Sequence, residues 1–405
     1  PSSYRPAFFQ LVLYPTAACA NLNDLYVTAA KNRLYAKQGR PMTNVLADSA
    51  VAMFKEDHIL SHFYNKVMEN GRWNHMMDQT HIGYTYWQEP PWNVMPQVVR
   101  IQLPDMANMG VAVQGSDLTL PVFFWFRRKT RPALPVFDPY SNQQQYYLDI
   151  FDRGEIPFHY QVKADKKWIQ ITQPEGEISK QQRIWISVDW KQAPHGKDSS
   201  LITITGPDNR PVQVTATIDN PVFPPKNEIK GFVESNGYVS MEAPHYSKVV
   251  NSDSVHWVTI PGLGRTLSAV TAFPVTASSK TPGGKSPHLE YDMYLFDTGD
   301  VKVEAYLSPT LNFKNSPQGL RYAVSFDNNP PLAVNMTADA SEKTWAEHVS
   351  DNINIQTTEF HIEKPGEHIL KFWRVDPGVV LQKIVVDLGG VKQSYLGPPE
   401  SYYKK

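Results

Sequence analysis

The sequence predicts a multidomain, mainly β protein in which a partial α-helical bundle precedes two β-sandwiches. Three observations carry that prediction. Apolar residues in the first ninety or so positions recur at helical spacing, and from about residue 93 the text changes to Pro, Gly and β-branched residues. A content of 33 Pro with 18 Phe, 20 Tyr and 10 Trp fits many short strands joined by stiff loops, with much aromatic surface to place. A length of 405 residues leans toward two or three domains rather than one.

The elements follow in order. Over residues 1–92, Leu22, Leu25, Tyr26 and Ala29 form one helical stripe, and Leu60, Phe63, Tyr64, Val67 and Met68 another. Val45, Leu46, Ser49, Ala52 and Met53 lie between them as an apolar and small stripe, with Pro41 placed to open a helix and Asn70-Gly71 to stop one. The expectation is about three helices whose wide stripes ask for further helices to pack on. Residues 93–133 read as a connecting segment. Across 134–220, Ile184, Ile186, Val188 and Trp190 alternate with Trp185, Ser187 and Asp189, and Val212, Val214, Ala216 and Ile218 repeat the pattern. Turn signals at Gly176, Gly196 and Gly206-Pro207 give the spacing of a small, immunoglobulin-like β-sandwich. Residues 221–228, rich in Pro, are a stiff linker. The second sandwich spans 229–397, with Val301, Val303, Ala305 and Leu307 alternating with polar residues, and a tail over 398–405 reads as a strap or as disordered.

Composition excludes several classes of function. Lys plus Arg number 39 against 40 for Asp plus Glu, so no basic field exists to hold nucleic acid. No apolar run approaches the length of a membrane span. A single cysteine, Cys19, rules out an intrachain disulfide and any zinc site of several thiolates. The start Pro1-Ser2-Ser3, without an initiator Met or signal peptide, reads as processed or truncated and says nothing of compartment.

Local constellations of possible chemistry are few. His75, Asp78 and His81 follow one another at i, i+3, i+6; on a helix His75 and Asp78 share a face and His81 is rotated away, so a three-ligand metal site needs a break. The plainer reading is a buried polar network, with His75 and Asp78 hydrogen-bonded inside the junction between helices and β region. Tyr84, Tyr86, Trp87 and Trp92 set four aromatics among polar groups, as sugar-binding surfaces do and as an interface plug also does. Trp185 faces away from the core strip and suits a sugar platform or a domain contact equally. Phe123 to Phe126 followed by Arg127-Arg128-Lys129 reads as a buried strand with a solvated basic end. No nucleophile elbow, P-loop, dinucleotide fingerprint or H-E-x-x-H is present, and Cys19 reads as core. No catalytic residue, metal ligand or cofactor is assigned.

The residues also resemble a family. Leu13-Tyr14-Pro15, Ala18 to Tyr26 and Trp73 to Trp87 are similar to the helical domain of glycoside hydrolase family 115, the xylan α-1,2-glucuronidases. Gly231 to Ala243, Ile260 to Thr266, Leu370 to Lys383 and Leu388 to Ser401 resemble that family's carboxy-terminal β-sandwich, a jelly-roll-like, carbohydrate-binding-module-like fold. The middle sandwich resembles the immunoglobulin-like module of some members. The resemblance implies removal of glucuronic acid, or its 4-O-methyl ether, from glucuronoxylan by a secreted bacterial hydrolase, extracellular or periplasmic. Family members carry an amino-terminal domain and a catalytic barrel ahead of the helices, and neither has a counterpart in this sequence. The implied role here is structural support and part of the substrate cleft, with the missing domains and glucuronoxylan or xylo-oligosaccharides as partners, and with homodimerisation open. The alternatives are a stand-alone carbohydrate-binding protein without catalysis, and an enzyme with its own site within His75 to Trp92.

Overall fold

The computed structural model describes residues 4–85, 88–121, 132–208, 210–222, 224–225 and 228–404. The chain divides into two compact units. The first comprises Pro1–Pro135, Gln145–Ala193 and Asp198–Thr217; the second comprises Val136–Gln144, Pro194–Lys197 and Ile218–Lys405.

The first unit opens on a helical hairpin. A short helical lead, Arg5–Phe8, widens through Phe9–Leu13 into α1 (Tyr14–Gln38), and α2 (Met42–His62) continues through a wider turn at Phe63–Val67. Gly39 ends α1 in the left-handed region, φ 68°, which only Gly enters freely, and the Gly39 and Arg40 amides return to the carbonyls of Ala36 and Tyr35. Pro41 precedes α2 as expected. There are two long helices, not three: the stripes around Val45 and Leu60 belong to one helix, because Phe54 to Ile59 contain neither Pro nor Gly to break it. Positive φ at Glu69, Asn70 and Gly71 then stops the chain where the sequence suggests.

The helices meet through small residues, with Ala29, Ala47 and Ala50 fully buried. Much of the apolar surface remains outside: Phe8, Leu11, Val12, Val27, Ile59 and Val67 are exposed, Leu11 at 78%.

Residues beyond the hairpin return along it, held by asparagine side chains. Asn32 accepts from the Val99 amide (2.7 Å) and donates to the Val99 and Thr43 carbonyls (2.9 and 2.8 Å). Asn44 treats Ile101 likewise, at 3.0 Å in both directions. A carboxamide has one acceptor and two donors, so each Asn satisfies an extended backbone residue as a neighbouring strand would.

Among the described residues the first sandwich has nine strands: β1 (Met109–Val113), β2 (Thr119–Leu120), β3 (Gln145–Asp152), β4 (Phe158–Ala164), β5 (Ile169–Ile171), β6 (Glu175–Ile178), β7 (Gln181–Val188), β8 (Gly196–Thr205) and β9 (Val212–Asn220). They form two sheets, in the orders β2-β1-β3-β7-β5 and β6-β4-β8-β9. Ile184, Ile186 and Val188, and Val212, Val214, Ala216 and Ile218, are buried as the alternation predicts. The expected connecting segment supplies β1 and β2. Every residue of β1 is buried, so it shows no alternation to announce a strand.

The outer face of the five-stranded sheet is only partly covered. Asp149 and Phe151 on β3 are buried there although they point away from the sandwich core. Arg40, from the turn between α1 and α2, lies over the Phe151 ring (4.5 Å) and donates to Asp149 (2.9 Å), with both charged side chains about 95% buried. Tyr147 and Gln145, further along β3, are not covered to that extent.

The second unit is built from β10 (Gly231–Val233), β11 (Tyr238–Glu242), β12 (Lys248–Val250), β13 (His256–Ile260), β14 (Ala269–Phe273), β15 (His288–Leu295), β16 (Gly299–Leu307), β17 (Arg321–Phe326), β18 (Leu332–Asn335), α3 (Glu342–Asp351), β19 (Asn354–Ile362), β20 (Gly366–Arg374), β21 (Val380–Asp387) and β22 (Tyr403–Lys404). One sheet runs β18-β17-β20-β15-β10-β22 with β12 beside β15, and the other β13-β14-β21-β16-β19 with β11 beside β21. Their inner faces enclose a core that includes Phe232, Tyr291, Tyr322, Phe326, Phe372, Leu381 and Ile384. The tail is a strap: β22 pairs with β10, and the Lys383 ammonium, almost fully buried, binds the Pro398 carbonyl (3.0 Å) and the Glu242 carboxylate (3.1 Å).

Removing Arg40 leaves Asp149 buried with only its second cation. Arg40→Met is expected to destabilise the first unit by about 2–4 kcal/mol, measured from its urea transition. A loss below about 0.5 kcal/mol would mean that the hairpin docks through apolar contact alone.

Candidate functional site

The aromatics of Trp73 to Trp92 predict a place at the junction with the β region; residues 73–83 instead fold back onto the helices. Ile82 is fully buried against Leu25 and Ala50. Trp73 packs beside Tyr14, Tyr64 and Met68. The Asn93 carboxamide accepts from the His81 and Ile82 amides (2.8 and 3.0 Å), and the Tyr26 hydroxyl accepts from the Gly83 amide (3.0 Å). Backbone satisfaction by Asn93 and Tyr26, rather than aromatic burial, decides where this segment goes.

Among its described residues the segment is not helical, and its three polar residues separate. His75 takes a left-handed conformation, φ 68°, on a turn. Its Nδ1 lies 2.5 Å from the Asp78 carboxylate, and Asp78 also accepts from Asn65 Nδ2 (2.8 Å). This pair is bonded as expected but at the surface, not inside, because the turn carrying it projects past the end of α2 and both side chains are more than half exposed. His81 pairs elsewhere, through Nε2 to the buried Asp57 carboxylate (2.8 Å) and through Nδ1 to the Gln79 carbonyl (2.9 Å). Burial disfavours its imidazolium, yet the two acceptors outweigh that and raise the His81 pKa. Among the described residues no group of three potential ligands forms.

The aromatic candidates are dispersed. Tyr84 and Trp92 are exposed, at 43% and 67%. Tyr86 and Trp87 lie outside the described residues, as does the run Phe123 to Lys129. Trp185 stands on the outer face of β7, 36% exposed, opposite Tyr147 of β3. Their rings meet edge to face with centroids 5.6 Å apart. The next cross-strand pair is Arg183 with Asp149. Arg183 donates Nε and Nη2 to the carboxylate (2.8 and 3.1 Å) while its guanidinium covers the Tyr147 ring at 3.6 Å. Asp149 therefore receives two guanidiniums, Arg40 from below and Arg183 from the solvent side. The alternation that points Trp185 outward also points Arg183 outward; nothing in the sequence says that Tyr147 and Asp149 lie beside them, because that is set by strand register.

The second unit holds a titrating group that sequence reading missed. Glu234 is buried at the end of β10, and its Oε2 accepts from the Phe296 and Asp297 amides (2.7 and 3.1 Å), fastening the turn between β15 and β16. Burial, with the neighbouring Asp297 carboxyl, pushes its pKa up to about 7 against the two amide hydrogen bonds.

The described residues thus form a helical hairpin and two β-sandwiches. Residues 231–400 match the family model of the glycosyl hydrolase family 115 C-terminal domain. No curated protein matches. Among solved structures the chain is similar to a family GH115 4-O-methyl-alpha-glucuronidase with specificity for decorated arabinogalactans, at 20% identity and a TM-score of 0.29, over 41% of this chain and 19% of that one. It is also similar to the C-terminal CBM6 of the marine laminarinase LamC from Zobellia galactanivorans, at 12% identity and a TM-score of 0.24, over 37% and 98% of the two chains. A family 35 carbohydrate binding module from Clostridium thermocellum matches at 12% identity and a TM-score of 0.25, over 36% and 97%. The matched part spans about a fifth of that glucuronidase's length.

The raised Glu234 pKa makes stability depend on pH. The folded protein keeps a proton up to about pH 7 that the unfolded chain releases near 4.5, so this stabilisation is complete below 4.5 and is lost as pH rises through 7. Glu234→Gln is expected to flatten the loss, leaving the second unit more urea-resistant than the parent at about pH 8 and no more so at about pH 4.5. Parallel urea midpoints for the two proteins across that range would refute the buried titration.

Proposed function

We propose that the chain is the carboxy-terminal part of an α-1,2-glucuronidase that releases glucuronic acid, or its 4-O-methyl ether, from glucuronoxylan. The observation that carries this reading is the family 115 match over residues 231–400. The helical and middle segments resemble the same family, in which the catalytic carboxylates stand on a barrel. Glycoside hydrolysis needs two carboxyl groups placed across the scissile bond, one to give a proton and one to act as nucleophile or base. The role assigned to this chain is to support that barrel and to supply part of the cleft's rim. The exposed apolar stripe of the helical hairpin suits it, since a surface with Leu11, Val12 and Phe8 uncovered favours a protein partner. Secretion to the cell exterior or periplasm follows from the polymeric substrate.

The test is reconstitution. The chain is co-expressed with the barrel-bearing part of a family 115 enzyme, and uronic acid release is measured from glucuronoxylan and from a uronate-decorated arabinogalactan. Release from glucuronoxylan by the pair, and none by this chain alone, is the expected result. Release only from the arabinogalactan would replace the substrate. Turnover by the chain alone, abolished by Asp78→Asn, would replace the reading with an independent enzyme.

A further inference from the structure

We infer that the outer face of β3 and β7 in the first sandwich is a binding platform for a uronic-acid-bearing glycan. The identity of the acid rests on the function proposed above; the platform rests on the geometry. Three cross-strand pairs stand in register on this face: Gln145 with Ser187, Tyr147 with Trp185, and Asp149 with Arg183. Gln170 of β5, opposite Ser187, extends the row. The strip therefore runs from amide and hydroxyl groups through two aromatic rings to a guanidinium. That order matches a sugar chain: pyranose rings offer apolar C–H faces to an aromatic surface and hydroxyls to amides at its rim.

Charge selects among sugars. Arg40 and Arg183 share one carboxylate, Asp149, which leaves one positive charge in excess, and Arg40 is inaccessible with 4% of its side chain exposed. The excess is therefore presented by Arg183, 42% exposed, whose Nε and Nη2 are spent on Asp149 and whose Nη1 takes no partner among the described residues. Two contacts hold that guanidinium in place, the carboxylate and the Tyr147 ring, so little side-chain freedom remains to be lost on binding. A rigid guanidinium edge 5.9 Å from the Trp185 ring centre suits a sugar that stacks its ring on the indole and carries a carboxylate. A neutral xylan segment would use the rings and leave the charge unanswered.

The experiment is calorimetric titration of the folded chain with two probes. One is xylotriose bearing α-1,2-linked 4-O-methylglucuronic acid; the other is unsubstituted xylotetraose. The acidic probe is expected to bind about ten-fold more tightly, the scale of one charge-assisted hydrogen bond. Trp185→Ala should weaken both probes about ten-fold, the scale of one ring lost from a stack, whereas Trp185→Phe should largely retain binding. Arg183→Gln should erase the preference for the acid, so that the two probes bind alike. Phe313→Ala, an exposed aromatic of the second unit, controls for loss of any surface ring. Melting curves identify a variant that has not folded, and the Trp185 pair decides the matter if Arg183→Gln fails. No saturable binding of the acidic probe by the parent chain, or equal binding by parent and folded Trp185→Ala, overturns the platform. Tighter binding of xylotetraose would overturn the assignment of a uronate. Absent binding together with uronic acid release by the reconstituted enzyme would fault this inference alone; binding without release would fault only the proposed function.

Discussion

The first unit depends on what happens at one buried carboxylate. Asp149 lies on the outer face of a sheet, where a charge is ordinarily solvated, yet Arg40 and the helical hairpin cover it. Dehydrating a carboxylate costs several kcal/mol unless cations and hydrogen bonds replace the water, and a single surface ion pair would not offset that. Two guanidiniums, from elements far apart in sequence, together supply three hydrogen bonds to it. Arg40 is itself positioned by Gln38, which accepts from its Nε, and by the rings of Tyr35 and Phe151. The turn between the helices, the third strand of the sandwich and the exposed Arg183 are therefore one electrostatic object, and altering any of them alters the others.

That arrangement also explains why the sheet face divides in two. Where Phe151 and Asp149 lie, the hairpin turn covers the strands; two residues along β3, at Tyr147, the covering ends and Trp185 emerges. Trp185 is about one-third exposed there, beside the half-buried Tyr147. Its edge-to-face contact with Tyr147 and the stacked Arg183 hold the rings at a fixed angle. Rigidity at an exposed aromatic pair distinguishes a prepared surface from an accidental one.

Much of the architecture was legible because alternation and helical spacing are local. Ile184 to Val188 and Val212 to Ile218 show their buried faces in the sequence, and Pro41 and Gly71 mark helix ends. What was not legible is non-local. β1 is buried on both faces and so lacks the period that would reveal it. The stripes around Val45 and Leu60 suggest two helices but lie on one, since no breaker separates them. His75 and His81, six residues apart, suggested one network; the structure gives them different acids, Asp78 and Asp57, because the chain turns at His75 and is then captured by Asn93. Trp185 was identifiable as outward-facing, but its partners Tyr147 and Asp149 lie some forty residues upstream, and only strand register brings them alongside.

Net charge conceals this local chemistry. A total of -1 disfavours binding by a bulk field, and it does so for good reason, since opposite charges are interspersed along the chain. Inside the fold the balance is set site by site. In the second unit Lys383 meets Glu242 one to one, and carbonyls of the tail complete its coordination. At Asp149 the count is two cations to one anion, and the odd cation faces solvent beside two aromatic rings. Both are ion pairs with a nearly buried carboxylate, but stoichiometry separates their consequences: a matched pair fastens structure, whereas an unmatched one fastens structure and leaves a charge that faces solvent.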